Sequence, residues 1–378
     1  MFSLNNFYRI LNNNLIADAP HSKSIYFYPF GTYEHRLTLP NFESVDTTNI
    51  LFTTCYFFDQ EPIYSSATVA DAILGHGYST HHITIIANSE KSTLKDKIID
   101  DNRFYDWYYF FHGFVALDWY RDFQYMNSNS FNRFTKVFMC FNHLVSKYRS
   151  YRLHLVSNLI NNELVSYGDV SLNLKDSNGT WLDELTDPNC QLDNRAKHAI
   201  YRALASLTTP LTVDTNSPTG DLSAQVDLAV LTNALWHIVT ETVFFLPKLH
   251  LTEKVFKPII AQRPFILVAA PGNLAYLKSY GFQTFDRWID ESYDQEQDHY
   301  LRIEKITREI ARLCAMPITE LQTMHNEMQT VLQFNHNHFF TTFRTIITNE
   351  LVDNLGNILC KNNLSQDHLS DAKKLLLQ

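Results

Sequence analysis

Glu241, Thr252, Glu253 and Lys254 are the side chains whose types and spacing offer the clearest chemistry in the sequence. Glu241 closes the apolar run Trp236-His237-Ile238-Val239-Thr240. After a loop, Thr252 is placed to cap a helix whose first turn holds Glu253 and Lys254. A helix N-terminus presents unpaired N–H groups and partial positive charge to an anion. Lys254 adds a full charge, and a carboxylate can accept both hydroxyls of a ribose. The set is suited to gripping a nucleotide diphosphate.

The elements that must position these residues follow from the neighbouring residues. Trp236–Val239 predicts one buried strand, and Pro264-Phe265-Ile266-Leu267-Val268, closed by Pro271-Gly272, predicts another. Two apolar strands around a short helix predict a parallel βαβ unit. Ligands in such sheets bind beyond the carboxyl ends of the strands, where Glu241 and the Thr252 cap would sit.

The string Glu241…Thr252-Glu253-Lys254 resembles the donor-binding signature of fucosyltransferase-like glycosyltransferases of the GT-B fold. Its continuation, Lys257-Pro258-Ile259, Pro264-Phe265-Ile266, Gly281-Phe282-Gln283-Thr284-Phe285 and Asp290-Glu291-Ser292-Tyr293-Asp294, is similar to a branch of glycosyltransferases common in phages and large viruses. The resemblance implies an α/β chain with two Rossmann-like domains and a cleft between them. It also implies transfer of a sugar, with inversion, from a nucleotide-diphosphate donor to an acceptor hydroxyl. The resemblance is firmest over 236–294 and thinner over 136–171. In that reading Glu241 and Glu253 hold ribose or sugar hydroxyls, Lys254 and an arginine neutralise phosphates, and Lys257 stands in reserve. The alternative for Thr252-Glu253-Lys254 is an ordinary capped helix packed on a sheet.

A transferase of this kind needs a base near the acceptor hydroxyl, and a carboxylate or imidazole of suitably tuned pKa can serve. In the first half, strands are expected at 24–30, 50–58, 82–87 and 106–111, alternating with helices at 68–74, 93–99 and 116–125. Asp59 and Glu61 of Asp-Gln-Glu-Pro follow the second strand, and His112 of His-Gly-Phe follows the fourth. These three, with Asp118, are the candidate bases. Each has a plainer role open to it: capping a turn before Pro62, bonding backbone beside Gly113, or an intrahelical ion pair between Asp118 and Arg121.

The donor side is expected to begin with a strand at 136–141 and a helix bearing Arg149 and Arg152. A planar guanidinium suits a diphosphate; Arg152 is the first choice, and solvated helix charge is the alternative. Tyr167–Ser171 resembles the next strand of the family. The polar stretch 175–194 reads as loop anchored by Trp181-Leu182, 195–207 as an amphipathic helix, 208–220 as a Pro/Gly-bearing loop, and 223–233 as a further helix. Short and long helices are expected at 273–280, 297–313 and from Thr319 on. The acids Asp290, Glu291 and Asp294 lie in a loop before a helix and read as a solvated cap. His336 and His338 have no nearby ligand cluster, so surface or packing roles are favoured. No essential metal and no cofactor are expected, the nucleotide sugar being the donor substrate.

The 378 residues suit two domains. The expected division is an acceptor-side domain at 1–130, a donor domain at 131–340 with the linker near 128–132, and C-terminal helices at 341–378 returning to the first domain. Hydrophobic content of 45% and aromatic content of 14% favour ordered cores. A net charge of −9 gives no global field that recruits nucleic acid. The five cysteines are scattered without CxxC spacing and read as thiols in a reducing compartment. The polar N-terminus and the lack of a membrane-length apolar run predict a cytoplasmic protein, in host cytoplasm if viral. The acceptor stays open among a glycan, a lipid-linked sugar, a protein and a hydroxymethylated base in phage DNA. A base would have to leave its stack to react. A non-catalytic sugar-nucleotide binding protein and a metal-dependent enzyme built on Asp290 and Asp294 are the rival classes.

Overall fold

The computed structural model describes four strands in the first 108 residues, then 109–125 and 133–377 apart from 177, 206, 208, 212–225, 362–365 and 367–368. The chain divides into two compact units, one of residues 1–118 with 344–378, the other of residues 119–343. Each carries its own parallel sheet, so the chain is α/β.

The first unit's sheet runs in chain order: β1 (Lys23–Tyr28), β2 (Thr53–Phe58), β3 (Ile83–Asn88) and β4 (Phe104–Trp107), all parallel. Their sequences are rich in β-branched and aromatic residues, which favour extended backbone. β4 stops at Trp107, and helix α1 (Phe111–Trp119) begins where the sequence predicts the end of a strand. His112 therefore lies in the first turn of a helix. The unit is completed by α10 (Arg344–Lys361) and α11 (Leu369–Leu377).

The second unit's sheet combines β5 (Lys136–Asn142), β6 (Gly168–Leu172), β9 (Ala234–Thr240) and β10 (Phe265–Val268) in the order β10-β9-β5-β6. Every residue of β9 and β10 is buried, as expected of strands covered on both faces. Phe138 pairs with Trp236, and Leu267 with Val239. From β5 the chain moves first to β6 on one side and later to β9 on the other. The strand order therefore reverses between β5 and β9, where open α/β sheets have a crevice at their carboxyl ends.

Helix α2 (Tyr151–Asn161) follows β5 and is buried from Tyr151 to Leu159. Two amphipathic helices pack in the same unit. α4 (Asn194–Leu204) buries Ala196, Ala199, Ile200, Ala203 and Leu204 and is capped by Asp193. α8 (His299–Cys314) buries Ile303, Ile306, Ile310 and Leu313 and is capped by Asp298.

Within 175–194, expected as a polar loop, 187–193 is turn and coil, but 175–186 carries secondary structure. A two-residue hairpin, β7 (Lys175–Asp176) with β8 (Gly179–Thr180), leads into α3 (Trp181–Thr186). Thr180 and Asp183 form a reciprocal capping box at its start. Among the described residues no helix is long and apolar enough to cross a membrane.

Candidate functional site

The carboxyl ends of β5 and β9 are tied together by side chains. Thr240 donates to Asn142 Oδ1 at 3.0 Å, while Asn142 Nδ2 donates to the Ser171 carbonyl at 3.3 Å. Glu241 is the next residue and is completely buried. Its carboxylate accepts the Thr252 backbone N–H at 3.1 Å and the Thr252 hydroxyl. Burial raises its pKa; the nearby Lys254 charge and the two bonds from Thr252 pull the other way.

Thr252 connects the acid to the cation. Its hydroxyl oxygen accepts from Lys254 Nζ at 3.2 Å, and Lys254 Nζ donates to Glu253 Oε1 at 2.7 Å. The Lys254 side chain keeps 30% exposure against 5% for Glu253. The Lys254 side chain is thus partly open to solvent, with two of its three ammonium donors engaged. The helix expected after Thr252 is a single 3-10 turn (Glu253–Val255) followed by the short α6 (Phe256–Ile260). With so little helix behind it the dipole contribution is small, so attraction for an anion falls on Lys254. Lys257 is half-buried on α6, and its charge adds to the burial that keeps His237 neutral.

Arg152 is committed to the fold of this corner. Its guanidinium donates to the carbonyls of Leu144 at 2.8 Å, Thr240 at 2.9 Å and Glu241 at 3.2 Å. Tyr151 donates its hydroxyl to the same Glu241 carbonyl. Arg302, from α8, donates to the Phe244 carbonyl at 2.7 Å and lies 4.0 Å from the Phe244 ring centre. Three side chains from α2 and α8 thereby pin the backbone from Thr240 to Phe244. Arg149 stands in a 3-10 turn (Lys147–Arg149) and is only half-buried.

The loop between β5 and α2 is fastened by residues of the 175–186 segment. Asp176 accepts the N–H groups of Val145 and Ser146, each at 3.0 Å, and Glu184 accepts the Lys147 N–H at 2.7 Å. Lys147 has φ 55°, and the carboxylate of Glu184 holds that turn. The Thr180-x-x-Asp183 box was the available signal for this support.

Of the four candidate bases, Asp59 and Glu61 lie outside the described residues. His112 is buried on α1, and Asp118 is half-buried near the end of that helix.

The acidic string before α8 is structural. Glu291 accepts from the Thr284 hydroxyl and the Phe285 N–H, both at 2.7 Å. Asp294 accepts from Leu274 N at 3.0 Å at the start of α7 (Asn273–Ser279). Among the described residues no three of His, Cys, Asp and Glu gather as a metal site would require. His336 and His338, on α9 (Ile318–His338), bond the carbonyls of Phe123 and Tyr280 and pack within the fold.

No protein-family model matches the chain, and no curated protein matches it. The chemistry of the site rests on its own side chains.

Proposed function

We propose that the chain is a glycosyltransferase of GT-B type, moving a sugar from a nucleotide-diphosphate donor to an acceptor hydroxyl. The carrying observation is the linked set Glu241–Thr252–Lys254 beside the strand-order reversal between β5 and β9. A solvent-reaching ammonium at that place can neutralise a leaving diphosphate. The acceptor oxygen attacks the anomeric carbon, the bond to the phosphate oxygen breaks, and the nucleotide diphosphate leaves. The acceptor proton passes to a first-half base among Glu61, Asp59, His112 and Asp118. Inversion is what the fucosyltransferase resemblance implies.

A binding protein that no longer transfers is the second reading. It is favoured by one feature: both Glu241 oxygens close onto Thr252 in full burial, where sugar hydroxyls would compete for them. Thermal shift with GDP and UDP, each with and without magnesium, tests the shared core of both readings. Stabilisation by either nucleotide, lost in Lys254→Ala, is expected. No stabilisation by either removes both. Release of free nucleotide from a GDP- or UDP-sugar then separates the enzyme from the binder.

A further inference from the structure

The amino-terminal edge of the second unit's sheet holds a buried cation with no acid beside it. Arg263 follows the turn at Gln262 that leads from α6 into β10, and it is 1% exposed. Its guanidinium donates to the carbonyls of Thr232 at 2.6 Å and Arg133 at 3.2 Å, and meets His325 Nε2 of α9 at 3.0 Å. Burial alone lowers the Arg263 pKa, to about 10, and no carboxylate among the described residues counters it. His237 on β9 feels both Arg263 and Lys257, so the charges nearest to it are basic as well.

The contact fixes the state of His325. A guanidinium has only N–H groups to offer, so the imidazole Nε2 accepts. Gln329 Nε2 donates to the same atom at 3.1 Å and to the His325 carbonyl at 3.2 Å. The His325 proton therefore sits on Nδ1, which is buried without a partner in the protein, and the ring is neutral. Phe134 stands edge-on to it at 6.0 Å, and the residue is 1% exposed. A second proton has to go to Nε2. It would take the lone pair that Arg263 uses and set two cations side by side in a buried place.

The histidines that bond carbonyls respond differently. Nε2 of His237, His336 and His338 lies 2.8, 3.1 and 2.7 Å from the carbonyls of Leu231, Phe123 and Tyr280. Each therefore donates, and a proton added at Nδ1 leaves that bond intact. His299 does accept from Arg302, but it is half-buried, where solvent can share its charge. We propose that Arg263 and His325 form an acid-released latch. Protonation of His325 breaks its contact with Arg263 and frees the first half of α9, residues 318–329, from the sheet edge while β9 and β10 stay folded. Burial, and then the Arg263 charge, lower the His325 pKa to about 4, so the opened segment binds the proton more tightly than the latched one. The latch is at full strength above the ordinary value of 6.5 and weakens as pH falls from there towards 4.

Hydrogen exchange of the full chain, resolved by residue at pH 7 and pH 5 and expressed as protection relative to an unstructured peptide at each pH, tests this. Between the two pH values the amides from Leu321 to Gln329 are expected to lose protection about tenfold or more beyond the loss in β9 and β10. In His325→Gln, whose amide oxygen can still accept from Arg263 but does not titrate, that additional loss is expected to vanish. Equal loss in α9 and in both strands of the unaltered protein overturns the latch, since His325 would then act only through unfolding of the whole unit. That comparison needs no variant to fold. Additional loss that persists undiminished in His325→Gln also overturns it, because another group would then be the trigger.

Discussion

The hydroxyl of Thr252 donates to the carboxylate of Glu241 while its oxygen accepts from the ammonium of Lys254, so one threonine links a buried acid to a half-exposed cation. Removing that hydroxyl leaves a fully buried carboxylate short of a donor, which costs about 1–3 kcal/mol. Thr252→Val is expected to lose stability on that scale, and Thr252→Ser, which keeps the hydroxyl, about 0.5 kcal/mol or less. Urea unfolding of the three proteins measures this. Equal stability of the valine and wild-type proteins would show that the hydroxyl contributes nothing to holding Glu241.

The two arginines beside the site are expected to separate by readout. Arg152 satisfies three carbonyls, two at the end of β9 and one in the loop between β5 and α2. Arg152→Ala orphans them and is expected to cost about 3 kcal/mol or more. Arg149 stands half-buried in the 3-10 turn before α2. Under the donor-site proposal, Arg149→Ala is expected to weaken nucleotide binding. Isothermal titration alongside denaturant melts decides between them. If Arg152→Ala keeps full stability and loses only nucleotide affinity, the structural role assigned to Arg152 is mistaken.

What the sequence made legible is what depends on local pattern. The largely apolar run at β9 reads as a strand covered on both faces, and Pro264 immediately precedes β10, with Pro271-Gly272 three residues beyond its end. Glu241 and Thr252 were legible as a pair because both border such runs. Arg152 was not: its type suited a phosphate, but which acceptors surround a guanidinium is decided by a loop and a neighbouring strand far off in sequence. The helix after Thr252 looked longer than it is. Ile259 and Ile260 continue its apolar face, yet the chain must turn at Gln262, with φ 50°, to enter β10. The segment 175–194 shows the opposite error. Its Asp and Asn content suggested a solvated loop, whereas Asp176 and Glu184 are the acceptors that hold the turn before α2. The contact between Arg263 and His325 had no local signal, since its two residues lie 62 apart in the chain.

Acid should destabilise the second unit through its buried histidines. Burial, the largest cause for each, lowers His154 and His325 to about 4 and His237 to about 3, from an ordinary 6.5. The unfolded chain therefore binds protons that the folded chain refuses. Their neutral burial is without penalty above the unfolded value, and stability falls as pH drops from about 6.5 towards the folded values. Each contributes a slope of up to about 1.4 kcal/mol per pH unit in that window. Glu241, Glu184 and Asp294 act in the opposite sense, because burial raises their pKa and makes the folded state the better proton binder, so they offset part of the histidine slope. His154→Leu removes one histidine without orphaning a protein partner of its Nε2. Its stability should fall less steeply between pH 6.5 and 4 than that of the wild-type protein, as read from urea midpoints across the range. Parallel pH profiles would mean that His154 titrates normally and is not sequestered.

Gly281 carries a strict steric demand. It ends the turn after α7 with φ +91°, and a Cβ built there would lie 2.8 Å from His338 Cε1 and 2.9 Å from its Nε2. His338 cannot easily retreat. Its Nε2 bonds the Tyr280 carbonyl at 2.7 Å, Phe282 stands edge-on to it at 4.7 Å, and Phe334 stacks on it at 5.5 Å. Left-handed backbone at a residue with a Cβ costs roughly 1–2 kcal/mol, and forcing atoms into a packed site adds roughly 1–3 kcal/mol. Gly281→Ala is therefore expected to destabilise by about 2 kcal/mol or more in chemical denaturation. The double variant Gly281→Ala/His338→Ala separates the two costs. Relief of the clash should make alanine at 281 less harmful in the His338→Ala background than in the wild type, leaving mainly the backbone strain. If the increment from Gly281→Ala is the same in both backgrounds, the imidazole is not what enforces glycine at this turn.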